Sequence, residues 1–281
     1  MSVGRCGVND VRKKLESLAE LPDSQIDVAE AALIIAQEEY PELNISSYLA
    51  RLDDLAAAAK ERIPALLPVE EKIQRLNHFL FSERGFAGNH KDYYDPRNSF
   101  LNDVLDRRTG IPITLSVVYC ELAGRLDMDI RGVSFPGHFL VRHVREPEVI
   151  IDPFFGTIIS QDECAKRLEA VYGKAVPLDR RLFEPATSRQ ILVRILNNLK
   201  QIYKERDDFH RALRYAEEIL ILTPDAPREI LERGLIYQRL ECFASALRDI
   251  ERYLELAPSD KTAATIRDAL PELRRQAALL H

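Results

Sequence analysis

Two residues of this chain are best suited by type and setting to move a proton. They are His138 in FPGHFLVRHV (Phe135–Val144) and Asp152 in VIIDPFFG (Val149–Gly156). A His can take the proton of a nucleophile while an Asp holds its second ring nitrogen, the division of labour in a Cys–His–Asp triad. The Cys of such a triad sits in the first turn of a helix. Unpaired N–H groups and the helix dipole there lower the thiol pKa, and the same N–H groups stabilise an oxyanion. The apolar helix that precedes His138, GIPITLSVVYCELAGRL (Gly110–Leu126), starts near Ile111 and carries Ile, Pro, Ile and Thr at 111–114. Two thirds of a triad are written, and the position of the nucleophile holds no thiol.

Cys120 lies six residues beyond Thr114. That is roughly 9 Å further along a helix axis. Proton transfer needs approach to within ~3 Å. Cys120 also falls on an apolar stripe and reads as a structural thiol. Thr114 and Ser116 carry hydroxyls, which become nucleophiles when a base is hydrogen-bonded to them. Thr114 is the better placed, although a Thr in a first helical turn also bonds to the backbone. Strand alternation puts His138, Leu140 and Arg142 on one face, with Asp152 ending the neighbouring strand. A register slip of one residue would turn Asp152 to the other face. The pair fits a base with its orienting carboxylate, and it fits equally a hydrogen bond that only fixes the sheet.

The elements that must hold these residues follow from periodicity. Leu115, Val118, Tyr119, Leu122 and Leu126 form one stripe on the central helix, and Ile113, Val117, Cys120 and Gly124 form a second. A helix apolar on two faces is buried. Pro112 suits its first turn. Strands are expected at Ile130–Phe135, Phe139–Val144, Val149–Asp152 and Thr157–Ser160, with a turn at Glu146–Pro147–Glu148. A helix on an antiparallel sheet is an α+β domain. Upstream, helices are expected over Ile26–Tyr40, from Ser46 or Ser47 as N-cap towards Pro64, and over Val69–Phe81. A short helix is expected over Phe100–Asp106. Between them, residues 82–98 (SERGFAGNHKDYYDPRN) are polar and aromatic without periodicity. Asn89, His90, Tyr93 and Tyr94 of that loop are candidates to line a ligand cleft. The same residue types can instead build a hydrogen-bonded shell around the start of the central helix.

The last third repeats. Tyr203 recurs as Tyr237, Ala212 as Ala246 and Pro224 as Pro258, all at one shared interval. That interval is the ~34-residue period of tetratricopeptide repeats, and Tyr, Ala and a closing Pro are their signature. Gly234 occupies the small-residue position of the second copy, and Lys200 stands there in the first. The repeats span about residues 193–226 and 227–260, and a capping helix is expected over Thr262–Leu280. In tetratricopeptide arrays the first helix of each repeat lines a groove. That pattern assigns Arg194, Asn197, Gln201, Lys204, Arg228, Gln238 and Arg239 to it, a net basic set suited to an acidic peptide or a C-terminal carboxylate.

Composition bounds the rest. The chain has 281 residues, of which 46% are hydrophobic and 30% charged. It is therefore globular and long enough for two cores. A net charge of -6 speaks against general nucleic-acid or membrane-surface binding. No run reaches the ~18 apolar residues of a membrane span. The start, MSVGRCGVNDVRKK, has no apolar signal core, so a cytoplasmic protein is expected. Cys6, Cys120, Cys164 and Cys242 show no CxxC spacing and are expected as free thiols, with no metal site and no cofactor. His90 has no second ligand at metal spacing.

The stretches AEAALIIAQEEYPELN, FLFSERGFAGNHKDYYDPRNSFLNDVLDRRTGIPITLSVVY, GVSFPGHFLVR and IIDPFFG resemble the SirB-type family, which joins a transglutaminase-like domain to tetratricopeptide repeats. The resemblance covers nearly the whole chain. It implies a papain- or transglutaminase-like central helix and sheet, with His138 on the catalytic His and Asp152 on the catalytic Asp. The catalytic Cys of the wider pattern falls near Pro112–Thr114, where this chain departs from it. The expected organisation is an N-terminal helical subdomain (1–82), a transglutaminase-like α+β domain (83–184) and the repeats (185–281). The expected function is a non-catalytic adaptor on a degenerate enzyme scaffold, with a regulatory link. The alternative is a cysteine-independent hydrolase or acyl transferase using His138, Asp152 and Thr114.

Overall fold

The computed structural model describes residues 4–146 and 149–279, with side chains from Asp10 onward. The helices α1 (Gly4–Glu20), α2 (Val28–Ala36), α3 (Ile45–Lys60) and α4 (Val69–Asn77) open the chain. Their ends follow caps that periodicity does not show. Asp27 caps α2 by accepting the Glu30 N–H at 2.9 Å. Asn44 caps α3 by accepting the Ser47 N–H at 3.0 Å, so Ser46 and Ser47 lie inside the helix and are not its caps. Beyond Asn77 the chain continues as a π-helical turn, His78–Glu83.

The polar loop after it is ordered. Ala87–Gly88 (β1) pairs in parallel with Thr109–Gly110 (β2), which follows α5 (Leu101–Arg107). These two-residue strands are too short to show alternation. Next comes α6 (Pro112–Arg125), almost wholly buried and with Pro112 in its first turn as expected.

A four-stranded antiparallel sheet follows in chain order: β3 (Ile130–Val133), β4 (Leu140–His143), β5 (Ile150–Asp152) and β6 (Thr157–Ile159). The expected turn between β4 and β5 lies partly outside the described residues, at Pro147 and Glu148. Val133, Leu140, Ile150 and Ile159 cover one sheet face and pack on Cys164 and Leu168 of α7 (Gln161–Tyr172). The central helix α6 packs against β3 and β4. The start of α7 is set by a capping box. Ser160 Oγ accepts the Glu163 N–H at 3.2 Å. In return the Glu163 carboxylate accepts the Ser160 N–H at 2.8 Å.

The remaining helices are α8 (Ser188–Glu205), α9 (Phe209–Leu222), α10 (Pro227–Arg239), α11 (Phe243–Leu256) and α12 (Ala263–Leu279). The α+β class read from the sequence is the class observed, followed by paired helices at the tetratricopeptide period. The expected last residue of the capping helix, Leu280, lies outside the described residues. The chain divides into two compact units: Leu21–Ile195 with the first part of α1, and Leu196 onward with Leu15–Glu20. The division falls inside α8. In the second unit Gly234 lets α10 approach α11, since a Cβ there would meet Ile250 at 3.1 Å and Asp249 at 3.2 Å. At the matching position of the first repeat Lys200 is 1% exposed, and its amine reaches Glu229 at 2.6 Å and Glu232 at 3.6 Å. No helix among the described residues is long and apolar enough to cross a membrane.

Candidate functional site

His138 and Asp152 meet. The His138 Nε2 lies 3.0 Å from Asp152 Oδ1. His138 reaches this point from a turn just ahead of β4, outside the expected strand Phe139–Val144. Pro136 presets its own φ. Gly137 takes φ +70, and the His138 N–H closes the turn on the Phe135 carbonyl at 3.0 Å. A Cβ at 137 would also lie 2.6 Å from Val171 Cγ2, so two constraints hold glycine there. The register of β5 and β6, with Asp152 opposite Thr157, puts Asp152 on the sheet face of Ile150 and α7.

The buried Asp152 carboxylate is fully occupied. Besides His138 it accepts the Phe154 N–H at 3.0 Å and the guanidinium of Arg167 on α7. The bond to Phe154 is an Asx-type turn. Burial pushes the Asp152 pKa up, but His138 and Arg167 together outweigh burial and hold the carboxyl below its ordinary value. An ionised carboxylate only accepts, so Nε2 carries the proton, and in a neutral ring Nδ1 carries the lone pair. Among the described residues no group hydrogen-bonds to Nδ1.

Thr114 is turned to other work. The residue is 1% exposed, and its hydroxyl donates to the Asn98 carbonyl at 2.7 Å and accepts the Ile111 N–H at 3.2 Å. Asn98 is itself fully buried. Its Nδ2 donates to the Asp92 and Tyr93 carbonyls at 2.7 and 3.2 Å, and its Oδ1 accepts from Asn89 Nδ2 at 3.0 Å. Nearby Asp95 is paired with Arg97 at 2.9 Å and Arg107 at 3.3 Å. Burial pushes Asp95 up, but the two arginines outweigh it and its pKa is lowered. Asn89 therefore belongs to a hydrogen-bonded shell that ties the loop to the start of α6. Cys120 is half-buried and its pKa is pushed up to about 12, first by desolvation. Cys164 and Cys242 are also free thiols, and the Cys6 side chain lies outside those described.

The aromatic part of the same loop gathers around His138. The His90 ring lies 4.5 Å from Phe154 and 5.3 Å from Phe155 between centroids. Tyr93 contacts both Tyr94 and Phe154. His138 stacks on Phe155 at 6.3 Å. Tyr93, Tyr94 and Phe155 are 41%, 58% and 55% exposed, so these rings form a surface and not a core. Gly88 permits the close approach, since a Cβ there would lie 2.5 Å from the Phe154 ring.

Arg194 departs from its expected place. Counting by the repeat period put it in the repeat groove, but α8 begins in the first unit. There its Nη2 donates to the His138 carbonyl at 3.5 Å. Burial lowers its pKa, and Tyr93 acts in the opposite direction. The rest of the assigned groove set lies in the second unit. Asn197 Nδ2 donates to Glu229 at 3.3 Å and Lys204 pairs with Glu232 at 2.8 Å, so this stretch alternates in sign and is not uniformly basic. Gln201, Arg228, Gln238 and Arg239 are exposed, Arg239 lying 3.8 Å from Asp207 and over the Phe209 ring.

Three members of the His138 surroundings were not singled out from sequence: Arg167, Phe154 and Phe155. For Arg167 a signal existed in Ser160-Gln161-Asp162-Glu163. That pattern announces a helix, and the helix carries Arg167 next to Leu168.

The helix against an antiparallel sheet, with His138 and Asp152 paired beside it, is the arrangement that the resemblance to transglutaminase-like domains implies. A family model of the transglutaminase-like superfamily matches residues 46–197, and one of the tetratricopeptide repeat matches residues 199–280. The chain belongs to the transglutaminase-like superfamily and carries tetratricopeptide repeats after that domain. Within this class it is similar to proteins named UPF0162. One from Xylella fastidiosa strain Temecula1 is 38% identical over 270 residues, covering 94% of this chain and 96% of the relative. One from Pseudomonas aeruginosa is 31% identical over 259 residues, covering 92% and 94%. YchA of Escherichia coli K12 is 28% identical over 272 residues, covering 95% and 100%. No solved structure matches.

Proposed function

We propose that this is a non-catalytic, cytoplasmic binding protein in which a transglutaminase-like scaffold has become a recognition surface. The carrying observation is that the hydroxyl at the nucleophile position already donates its proton to the Asn98 carbonyl. Asp152, the would-be orienting group, is shared between His138 and Arg167. A second cation beside the carboxylate weakens its hold on an imidazolium. The exposed rings of Tyr93, Tyr94 and Phe155 surround this pair. Rings of these types are enriched at interaction surfaces. The tetratricopeptide helices supply a protein-binding surface, to which exposed Arg228 and Arg239 bring an affinity for an acidic partner segment. The narrower resemblance to SirB-type proteins, with its regulatory link, belongs to the same proposal.

One observation favours a second reading. His138 lies 3.0 Å from a carboxylate, and its Nδ1 has no hydrogen-bond partner among the described residues. That is the geometry of an oriented general base. His138→Ala separates the two. In a binding protein it costs about 1–3 kcal/mol by leaving Asp152 short of a partner, and amide hydrolysis and acyl transfer to an amine stay at background. In a hydrolase or acyl transferase the variant keeps its stability, and a measurable turnover falls by roughly 100-fold or more. Melting and turnover on the same variant decide, and a stable variant that has lost turnover refutes the binding proposal.

A further inference from the structure

β4 carries one residue out of keeping with its face. Arg142 follows Leu140 by two and stands opposite Ile150 in the register, so it shares the side of the sheet that those apolar residues turn to α7. Arg107, Arg125, Arg167 and Arg233 are partly buried too, and each is answered by a carboxylate. Arg142 makes no side-chain ion pair or hydrogen bond among the described residues. Its Nε is sealed from water and unmatched, whereas its two Nη groups, equally unmatched, are open to solvent. Arg131, opposite it on β3, has its own carboxylate in Asp129 at 3.2 Å. A half-buried cation without a counter-charge is unfavourable, and an anion arriving from outside offsets that.

Arg142 borders a cavity of about 520 Å³ within the first unit. The volume lies within the ~300–1,000 Å³ of small-molecule sites. Arg180 and Arg181 line it as well, from the 3-10 turn Arg180–Phe183. Two contacts hold this turn in place. Asp179 caps it, accepting the Arg181 N–H at 2.9 Å and the Arg181 guanidinium at 2.5 Å. Phe183 packs on the apolar face of the sheet, its ring 5.6 Å from that of Phe135. The Arg180 guanidinium has no partner among the described residues. Against three guanidiniums the described lining sets one carboxylate, Glu184, in a chain of net charge -6. Val144, Ile150 and Phe183 supply the apolar part of the wall.

Two unanswered guanidiniums on one cavity fit one ligand group. A phosphate monoester carries close to two charges and three acceptor oxygens, which a planar guanidinium grips bidentately. We propose that this cavity binds a small phosphate monoester, its phosphate on Arg142 and Arg180 and its organic part on Phe183. The site shares no residue with the surroundings of His138, so its test stands apart from that of the proposed function.

Phenyl phosphate serves as probe, with inorganic phosphate and benzoate as controls at constant ionic strength. Amide ¹H–¹⁵N shifts of the full chain are followed during titration. Saturable shifts are expected at Val144, Gln161 and Phe183, with phenyl phosphate bound more tightly than either control. Arg142→Met removes the guanidinium and keeps a long side chain. It should weaken phenyl phosphate about tenfold, the loss expected for charged hydrogen bonds. Its melting should stay level or rise, because an uncompensated cation leaves the sheet. Arg180→Ala, on the surface, should weaken binding similarly, and it carries the test should Arg142→Met not fold. The absence of a saturable shift up to ~10 mM phenyl phosphate overturns the proposal. So does benzoate or inorganic phosphate binding as tightly, or an affinity that survives either substitution in a folded variant. Retention of the chain on phosphatidic acid vesicles, lost in Arg180→Ala, would place the phosphate on a lipid headgroup and overturn a soluble ligand.

Discussion

Thr114 and Ser116 sit two residues apart on one helix, equally buried, with opposite fates. The Thr114 hydroxyl has two backbone partners and stands where a nucleophile would be required. The Ser116 hydroxyl has none among the described residues and is sealed from solvent, on a side of the helix that borders open space. A step of about 100° per residue places them on different sides of α6, one towards the loop carrying Asn98 and the other towards β3 and Ile191. The difference teaches where the molecule is finished and where it is open. The start of the helix, the centre of thiol chemistry in a triad fold, is a closed hydrogen-bonded structure. Open space lies more than a turn further along.

This contrast can be broken at several points. The largest effect is expected at Asn98→Ala, which removes the hub joining the loop to α6 and leaves several buried groups unpaired. About 3 kcal/mol should be lost in urea unfolding, and a value near zero would show that the loop does not depend on its hub. Thr114→Val keeps the shape and removes the hydroxyl. It should cost about 1–2 kcal/mol, and a neutral result would place Thr114 with Ser116.

Acid should act on the closed region. Asp95 and Asp152 are each pushed up by burial and pulled down by their cationic partners, and the pull wins. Both therefore titrate below the ordinary ~3.9 of an aspartate. A carboxyl with a depressed folded pKa contributes its full stabilisation above the unfolded value and loses it as pH falls through the folded value. Stability should thus be flat in these two groups above about pH 5 and decline below about pH 4. Asp152→Asn should flatten part of that decline, and an unchanged acid profile would mean that Asp152 does not carry the linkage. The smallest change is expected at Ser116→Ala. With no hydrogen bond to lose, it should stay within about 0.5 kcal/mol of the native chain or stabilise it, and a loss comparable to Thr114→Val would reveal a partner for Ser116.

Much of this architecture was legible because it is periodic. The central helix, the order of the strands and the tetratricopeptide repeat each imprint a spacing on the sequence. What escaped was set by single residues. Pro136 and Gly137 present His138 from a tight turn before β4, a geometry that alternation along the strand does not describe. The capping box at Ser160 was there to be read, and with it α7 and Arg167. The parallel pair β1–β2 is too brief for any period. Arg194 shows the limit of counting by repeats, since a helix shared between two units obeys the repeat only where the repeat's own neighbours surround it. Asn98 could not be distinguished from the other polar residues of its loop, because its role rests on backbone carbonyls that any sequence supplies.

Lys200 gives the repeat array a direction. Its ammonium group is nearly sealed from water and is answered by Glu229 and Glu232, which belong to the next repeat. The two copies are therefore not interchangeable modules. Exchanging their order would set Lys200 against helices without those carboxylates and strand a buried cation, whose desolvation costs several kcal/mol. A generic consensus repeat spliced in behind the first would fail in the same way unless it brought both carboxylates. The array is thus read in one order only, like a word whose first letter dictates the second.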